Sequence, residues 1–264
     1  MTSDGGPRLD LHVHTTASDG TLELDEVPTA ARRAGVGTVA VTDHDRLHPG
    51  LDAPVTVRDG VRLVRGVELR VDAGDIRVDL LGYAVRDASA LAAELDRLQR
   101  DRVERARAIV DCVEDETDTT LAVDLVDGIG RPHIARAVAA SDAPYDYQGA
   151  FDHLIGSDCP CYVPRSLPTF DAGAELLRES CAVVSLAHPF RYPDVDRALD
   201  LARDLGAVER YYAYGRSVPT ERIERVVRDA GLLRTGGSDA HDRTLGRAGL
   251  DGAEAAAFLA RLAG

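Results

Sequence analysis

The sequence predicts a β/α scaffold broken by a mostly helical insertion, and three observations carry that expectation. Short apolar runs of strand length alternate with amphipathic stretches of ten residues or more, the pattern of parallel strands joined by crossover helices. From about Thr117 to Pro168 the alternation stops and the chain becomes rich in Asp, Gly, Pro and Tyr. Histidines and carboxylates recur where the strands end, and in a β/α barrel that edge is the catalytic face.

The elements follow in order. Leu9-Asp10-Leu11-His12-Val13 reads as a strand, Leu24 to Ala34 as an amphipathic helix stopped by Gly35, and Thr38 to Val41 as a short buried strand. Val61 to Val67 is a third strand. Arg70 to Val85 alternates around Ala73-Gly74-Asp75 as a hairpin does, and Ala88 to Glu116 carries a long charged helical pattern. Only short helical patches follow, near Ile134 and Phe151. Cys181 to Ala187, Ala207 to Tyr214 and Leu232 to Thr235 then resume the strand and helix alternation. The expected division is barrel over 1–96, helical insertion or cap over 97–168, and barrel again over 169–264. No G-x-G-x-x-G follows the first strand, so a dinucleotide crevice has no support. Between a barrel and an open doubly wound sheet, periodicity alone does not choose.

Composition sets further bounds. With 264 residues, 44% hydrophobic and 29% charged, the chain is of the soluble globular class. No apolar stretch approaches the ~20 residues of a membrane span, and the start MTSDGGPRLD has neither a basic segment nor an apolar run, so a cytoplasmic protein is expected. All 31 basic residues are Arg, and Asp dominates the 45 acids, for a net charge of −14. A Lys-free, Asp-rich surface resembles that of proteins from extreme halophiles, with high-GC codon bias as the alternative source; salt would screen its self-repulsion. Such a surface repels DNA, so extended duplex binding is not expected and any nucleic-acid chemistry needs a local positive site. Cys112, Cys159, Cys161 and Cys181 lack zinc-ribbon spacing, and four free thiols are expected. Cys159-Pro160-Cys161 is too little to define a metal site.

The chemistry gathers in a few motifs. In Asp10-Leu11-His12-Val13-His14, residues i, i+2 and i+4 share one face of an extended chain, so a carboxylate and two imidazoles point the same way. Asp239-Ala240-His241 repeats the i, i+2 spacing after a strand and Gly236-Gly237. Six of the eight histidines lie at strand ends or in Arg131-Pro132-His133. Imidazole and carboxylate together suit divalent metals such as Mn²⁺ or Zn²⁺, and the absence of Cys from these motifs argues against a structural thiolate site. No Ser-His-Asp or Cys-His arrangement competes, which favours metal-assisted hydrolysis without a side-chain nucleophile.

These motifs resemble those of the PHP (polymerase and histidinol phosphatase) superfamily. The resemblance rests on Asp10 to Gly20, Thr42-Asp43-His44-Asp45, Gly66-Val67-Glu68-Leu69, Arg131-Pro132-His133, Ala187-His188-Pro189 and Gly237-Ser238-Asp239-Ala240-His241, all in the family order. The insertion, through Phe151 to Ile155 and Pro160-Cys161-Tyr162-Val163-Pro164-Arg165, is similar to that of nucleoside 3′,5′-bisphosphate phosphatases and 5′-3′ exoribonucleases. Phe190 after the AHP element and Cys161 before Tyr162 depart from that subgroup, which commonly has Gly and Ala there.

The resemblance implies a distorted seven-stranded β/α barrel of PHP type with up to three divalent metals, Mn most readily and Zn or Fe as alternatives. It would give His12, His14, Glu68 and Asp239 to the first metal, Glu68, His133 and His188 to the second, and Asp19, His44 and His241 to the third. Three ions bring about +6 against three carboxylates, so a positive cleft of roughly +3 inside a negative protein would take a phosphorylated substrate. A metal-bridged hydroxide would then attack phosphorus. Asp10, Asp43 and Asp45 would support the ligand histidines, with turn stabilisation an equal reading for Asp43 and Asp45. Arg131, Arg165 and Arg191 would bind phosphate, with surface ion pairing the alternative for each. The segment from Thr117 to Pro168 is expected to cap the metal face and select substrate. His48 and His153 fall outside the motifs, and the Arg-rich helix from Leu91 to Val113 reads as a solvated face rather than an RNA track.

The implied activity is removal of the 3′-phosphate from nucleoside 3′,5′-bisphosphates, or trimming of short 5′-phosphorylated RNA. A histidinol-phosphate-type phosphatase, amide hydrolysis at a similar cluster, and a non-catalytic binding module on a decayed barrel are the rival readings.

Overall fold

The computed structural model describes residues 8–86 and 89–263. It divides into two compact units, one of residues up to Ala93 and from Leu167 onward, the other Glu94–Ser166. The expected start of the long helix at Ala88 lies outside the described residues, as does the N-terminal segment before Arg8.

In the first unit a single sheet runs in the order β1 (Arg8–Val13), β2 (Val36–Val41), β4 (Val61–Asp72), β5 (Arg77–Tyr83), β6 (Val183–Leu186), β7 (Ala207–Tyr212) and β8 (Leu233–Gly237), and β3 (Val55–Arg58) pairs with β4 off that path. The two ends of the path meet. Val13 bridges Ala240 in parallel, with His14 N donating to Ala240 O at 3.0 Å, so the seven strands form a nearly closed barrel. Helices α1 (Val27–Arg33), α5 (Phe170–Ser180), α6 (Val195–Ala202), α7 (Glu221–Ala230) and α8 (Gly252–Ala263) belong to the same unit.

One feature differs from the expectation. Val61–Asp72 is one continuous strand, where the sequence reads a strand to Val67 and a separate hairpin from Arg70; nothing between those positions breaks pairing, and β5 is paired with it from Gly66 to Asp72. The expected hairpin itself forms, and because β5 runs antiparallel to both β4 and β6 the barrel is not wholly parallel. The cause is local: Gly74 N donates to Asp72 Oδ1 at 2.7 Å in a tight turn, too short for a parallel crossover.

The packing of β1 aims the functional residues. Leu9 and Leu11 cluster with Ala255 and Phe258 of α8, and Val13 with Val27 and Ala31 of α1. Side chains alternate along a strand, so Asp10, His12 and His14 project to the opposite face. All three are fully buried.

The second unit is helical, built from the Glu94-to-Thr117 part of α2 (Ser89–Thr117), α3 (Arg131–Ala139) and the short α4 (Tyr147–Ala150). Ile109, Val113, Ile134, Val138, Leu154 and Ile155 form its core. Here the expectation of four free thiols is corrected. Cys112 on α2 and Cys161 are joined in a disulfide closing 49 residues, while Cys159 and Cys181 are free. The fold brings two thiols distant in sequence into the same core, which spacing cannot reveal.

Candidate metal centre

Three parts of the sheet deliver the central group of candidate ligands. His12 comes from β1 and His14 from the residue after it, Glu68 from β4 and Asp239 from the turn after β8. Nε2 of His12 lies 3.3 Å from Glu68 Oε2 and 3.4 Å from Asp239 Oδ1. Nε2 of His14 lies 3.3 and 3.1 Å from the same two oxygens. The four ligand atoms all lie within 4.8 Å of one another, close enough for one divalent ion to reach them together.

Two further groups share residues with the first. Glu68 turns its other oxygen, Oε1, to His188 Nε2 at 3.0 Å, and Asp79 Oδ2 stands 3.9 Å from that nitrogen. On the other side Asp19 Oδ1 lies 3.3 Å from His241 Nε2 and 3.7 Å from His44 Nε2, with the His14 ring stacked on His241 at 4.2 Å. Glu68 thus bridges the first and second groups, and His14 borders the third. Among the described residues these three groups contain eight of the nine ligands named from the sequence. His133 is not among them: it sits in the first turn of α3, in the second unit, where its Nδ1 accepts from Gly130 N at 3.2 Å.

The chemistry of the donors tests whether a metal fits. His12 Nε2, His14 Nε2, Glu68 Oε2 and Asp19 Oδ1 are buried and make no hydrogen bond. Leaving such atoms unsatisfied away from water costs free energy, and a divalent cation would satisfy them together. The donor set therefore fits hard or borderline divalent metals.

Electrostatics agree. Burial pulls His14 toward its neutral form, but Asp239 and Glu68 outweigh it and push its pKa to about 10. Burial acts in the same sense on His12, and Asp239, Glu209 and Glu68 hold it well above the ordinary range. Conversely, burial would raise Asp239, yet His12 and His14 keep it well below. Glu68 and Asp19 are likewise lowered against burial, each chiefly by His44. The carboxylates thus favour positive charge at His12 and His14.

Neighbouring side chains hold the ligands in place. Glu209, fully buried, accepts from His12 Nδ1 at 3.1 Å and from the backbone N of His188 at 2.7 Å, so one carboxylate orients residues of two groups. Asp10 Oδ1 accepts from the backbone N of His12 at 3.4 Å. Its oxygens accept from Ser238 N at 2.8 Å, Ser238 Oγ at 2.6 Å and Gly246 N at 2.7 Å, clamping the turn that carries Asp239. Asp43 accepts from Thr15 N, Thr15 Oγ1 and Ser18 Oγ, fixing the approach to Asp19. Asp45 Oδ1 accepts from Arg70 N at 3.2 Å. His188, Asp239 and Asp45 have φ of +26°, +50° and +50°, conformations that non-glycine residues adopt at a cost and that cluster at functional sites. Gly237 is required by proximity, since a Cβ there would lie 2.3 Å from His12 N.

The three arginines named from the sequence occupy different settings. Arg191 is exposed over the first unit's site, with Nη1 donating to Asp239 Oδ2 and to Tyr212 Oη, each at 3.0 Å. Arg131 belongs to the second unit, donating to Ile155 O at 3.1 Å beneath the rings of Phe151 and Tyr162. Arg165 lies in that unit too. Burial, reinforced by Arg131, Arg165 and Arg102, pulls Arg105 down to about 10, so these four arginines stand close together within an otherwise acidic unit.

Sequence reasoning missed Asp79 and Glu209. Both are acids inside strands, where Asp and Glu are depleted, and that was the available signal.

Comparison with known proteins points the same way. The family model described as the PHP domain matches residues 10–157. A 3′,5′-nucleoside bisphosphate phosphatase of Chromobacterium violaceum is 30% identical over 72% of this chain and 70% of its own length. A 5′-3′ exoribonuclease of Haemophilus influenzae is 27% identical over 70% of each chain. A phosphoribosyl 1,2-cyclic phosphate 1,2-diphosphodiesterase of Eggerthella lenta is 29% identical over 89% of this chain and 94% of its own.

Proposed function

The chain belongs to the PHP domain family of phosphate-ester hydrolases, and from that premise we propose that it removes the 3′-phosphate from nucleoside 3′,5′-bisphosphates and trims short 5′-phosphorylated RNA by the same chemistry. The observation that carries the reading is the set of buried donor atoms on His12, His14, Glu68 and Asp19 that crowd together without making a hydrogen bond. Up to three divalent metals, with Mn²⁺ proposed first, would supply an activated water at neutral pH and neutralise charge on the phosphate oxygens.

The chain's own groups would do the rest. Glu68, facing His12 and His14 with one oxygen and His188 with the other, keeps two groups at a set spacing. Tyr212 Oη donates to Asp239 Oδ2 at 2.8 Å and holds that carboxylate so that Oδ1 faces the histidines. Arg191 has donors beyond the one on Asp239 and would receive a phosphate oxygen. His133, Arg131 and Arg165 are proposed for the same reaction on the strength of their motifs, His133 as a ligand and the arginines for the second phosphate.

The length of the match to the cyclic phosphodiesterase favours a cyclic phosphodiester as the second reading. The test is phosphate release by the chain, purified in high salt with Mn²⁺. The panel is bisphosphates, plain monophosphates including histidinol phosphate, 5′-phosphorylated oligonucleotides and a phosphoribosyl cyclic phosphate. Preference for the bisphosphate is expected, with His12→Ala and Glu68→Ala nearly inactive. Arg165→Ala should cost the bisphosphate more than the monophosphate, by about 1.5 to 3 kcal/mol for one charge-assisted contact. Equal losses would remove Arg165 from substrate recognition.

A further inference from the structure

The first unit carries a second concavity whose lining is unlike the rest of so acidic a chain. A cleft of about 350 Å³ opens beside the end of β7, lined by Arg8, Arg210, Arg216 and Arg247 together with Tyr212 and Tyr214. Asp251 is the one carboxylate among the lining residues, and Arg210 and Arg247 are paired with Glu224 and Asp242 outside that lining, so the walls of the cleft carry mostly guanidinium groups in a protein of net charge −14. None of the four arginines belongs to a metal group or to a motif used above.

The tyrosines join this cleft to the metal-ligating residues. Tyr212, bonded to Asp239, stands edge-on to His188 with ring centroids 5.5 Å apart. Tyr214 follows at 4.6 Å from Tyr212. Two aromatic faces thus lead from the ligands to the arginines. Each guanidinium is also anchored on one side: Arg210 on Glu224 at 2.7 Å, Arg216 on Phe190 O at 3.1 Å, Arg8 on Gly246 O and Arg247 on Asp242. Arg has five N–H donors, so anchoring holds the group and leaves others for an incoming oxygen, with less side-chain entropy to lose on binding.

Resting on the phosphoesterase reading, the geometry points to a subsite for a second nucleotide of a single-stranded, phosphorylated oligonucleotide, its base stacked on the tyrosines and its phosphate held by the arginines. Stacking platforms beside a basic groove are how proteins hold single strands without reading their sequence. The cleft has the volume of a small-ligand pocket, enough for one nucleotide. A mononucleotide bisphosphate whose scissile phosphate lies on the metal groups has no further nucleotide to place there, so only oligomers would engage it.

The experiment compares wild type, Arg216→Ala and Arg247→Ala in two assays. Both side chains are exposed and both variants are expected to fold, which thermal melting checks. In the first assay, kcat/KM for a 5′-phosphorylated RNA tetramer should fall about tenfold in each variant, with that for the nucleoside bisphosphate nearly unchanged. In the second, anisotropy of a dye-labelled RNA tetramer is titrated with the intact chain over a salt series, with a nucleoside 5′-monophosphate as competitor. Each lost arginine should reduce the slope of log affinity against log salt by ~0.7, and Arg216→Lys should restore it. RNA binding unchanged in both variants, or equal losses on RNA and bisphosphate, would overturn the subsite. Complete displacement by the monophosphate alone would overturn the oligonucleotide and leave a free-nucleotide site. Failure of the wild type to hydrolyse the bisphosphate would count against the proposed function, while the anisotropy assay, which needs no turnover, would still decide the cleft.

Discussion

Glu209 shows how much one side chain decides at this site. Its carboxylate orients the His12 ring through Nδ1 and fixes the backbone of His188, so two metal groups depend on a residue that is itself no member of either. Glu209→Gln retains the shape and loses the charge; metal affinity, measured by chelator competition, is expected to fall roughly 10- to 100-fold. Unchanged affinity would mean that the sheet alone orients the ring. Protons are the second consequence at this scale. With His14 raised to about 10, its imidazole is protonated in the metal-free protein at pH 8 and must lose that proton to become a ligand; His12 is raised in the same direction. Metal loading at pH 8 should therefore release roughly one proton, and apparent affinity should fall as pH is lowered. Calorimetry in two buffers of different ionisation heat reads the release directly, and identical heats would refute a protonated cluster.

At the scale of elements, the closure between β1 and β8 positions the ligands. His12 and Asp239 are brought together because Gly237 lets the two backbones approach and Asp10 clamps Ser238 across the seam. The atoms that a Cβ at Gly237 would meet include backbone, which cannot swing aside. Gly237→Ala is expected to destabilise the protein by about 1 to 3 kcal/mol, read from the urea midpoint with metal chelated, and to weaken metal binding by displacing β1. A full-strength metal site in that variant would show that the seam tolerates widening. The distortion of the barrel is an element-scale effect as well: the tight turn at Asp72 to Asp75 makes β5 antiparallel, and β5 carries Asp79 to within reach of His188.

At the scale of the molecule, the two units are stabilised by different means. The first closes a sheet around apolar residues, whereas the second is a small helical core with a disulfide across it. In the chain-entropy view, a cross-link closing a loop of 49 residues contributes about 4 kcal/mol. Reduction is expected to speed hydrogen exchange across 94–166 while leaving the barrel strands protected. Exchange unaltered by reduction would assign the stability of that unit to its apolar core alone. Thiol titration of the denatured, unreduced chain should find the two free cysteines, Cys159 and Cys181; four would contradict the cross-link.

The sequence by itself determined the candidate ligands: local spacing singled out two pairs, and the motif resemblance supplied the others. Residues i and i+2 on a strand face one way wherever the strand goes, so His12 with His14 and Asp239 with His241 declared themselves before any fold was known. The strands carrying them were legible for the same reason, through apolar alternation. Only the tertiary structure decided what depends on contacts between distant segments. Glu209 beside His12, Asp79 beside His188, Cys112 against Cys161 and the cleft of arginines at the end of β7 each join residues tens to hundreds of positions apart. No periodicity records such pairs, since their proximity arises from the order of strands in the barrel and from helix packing, and neither is a local property of the chain.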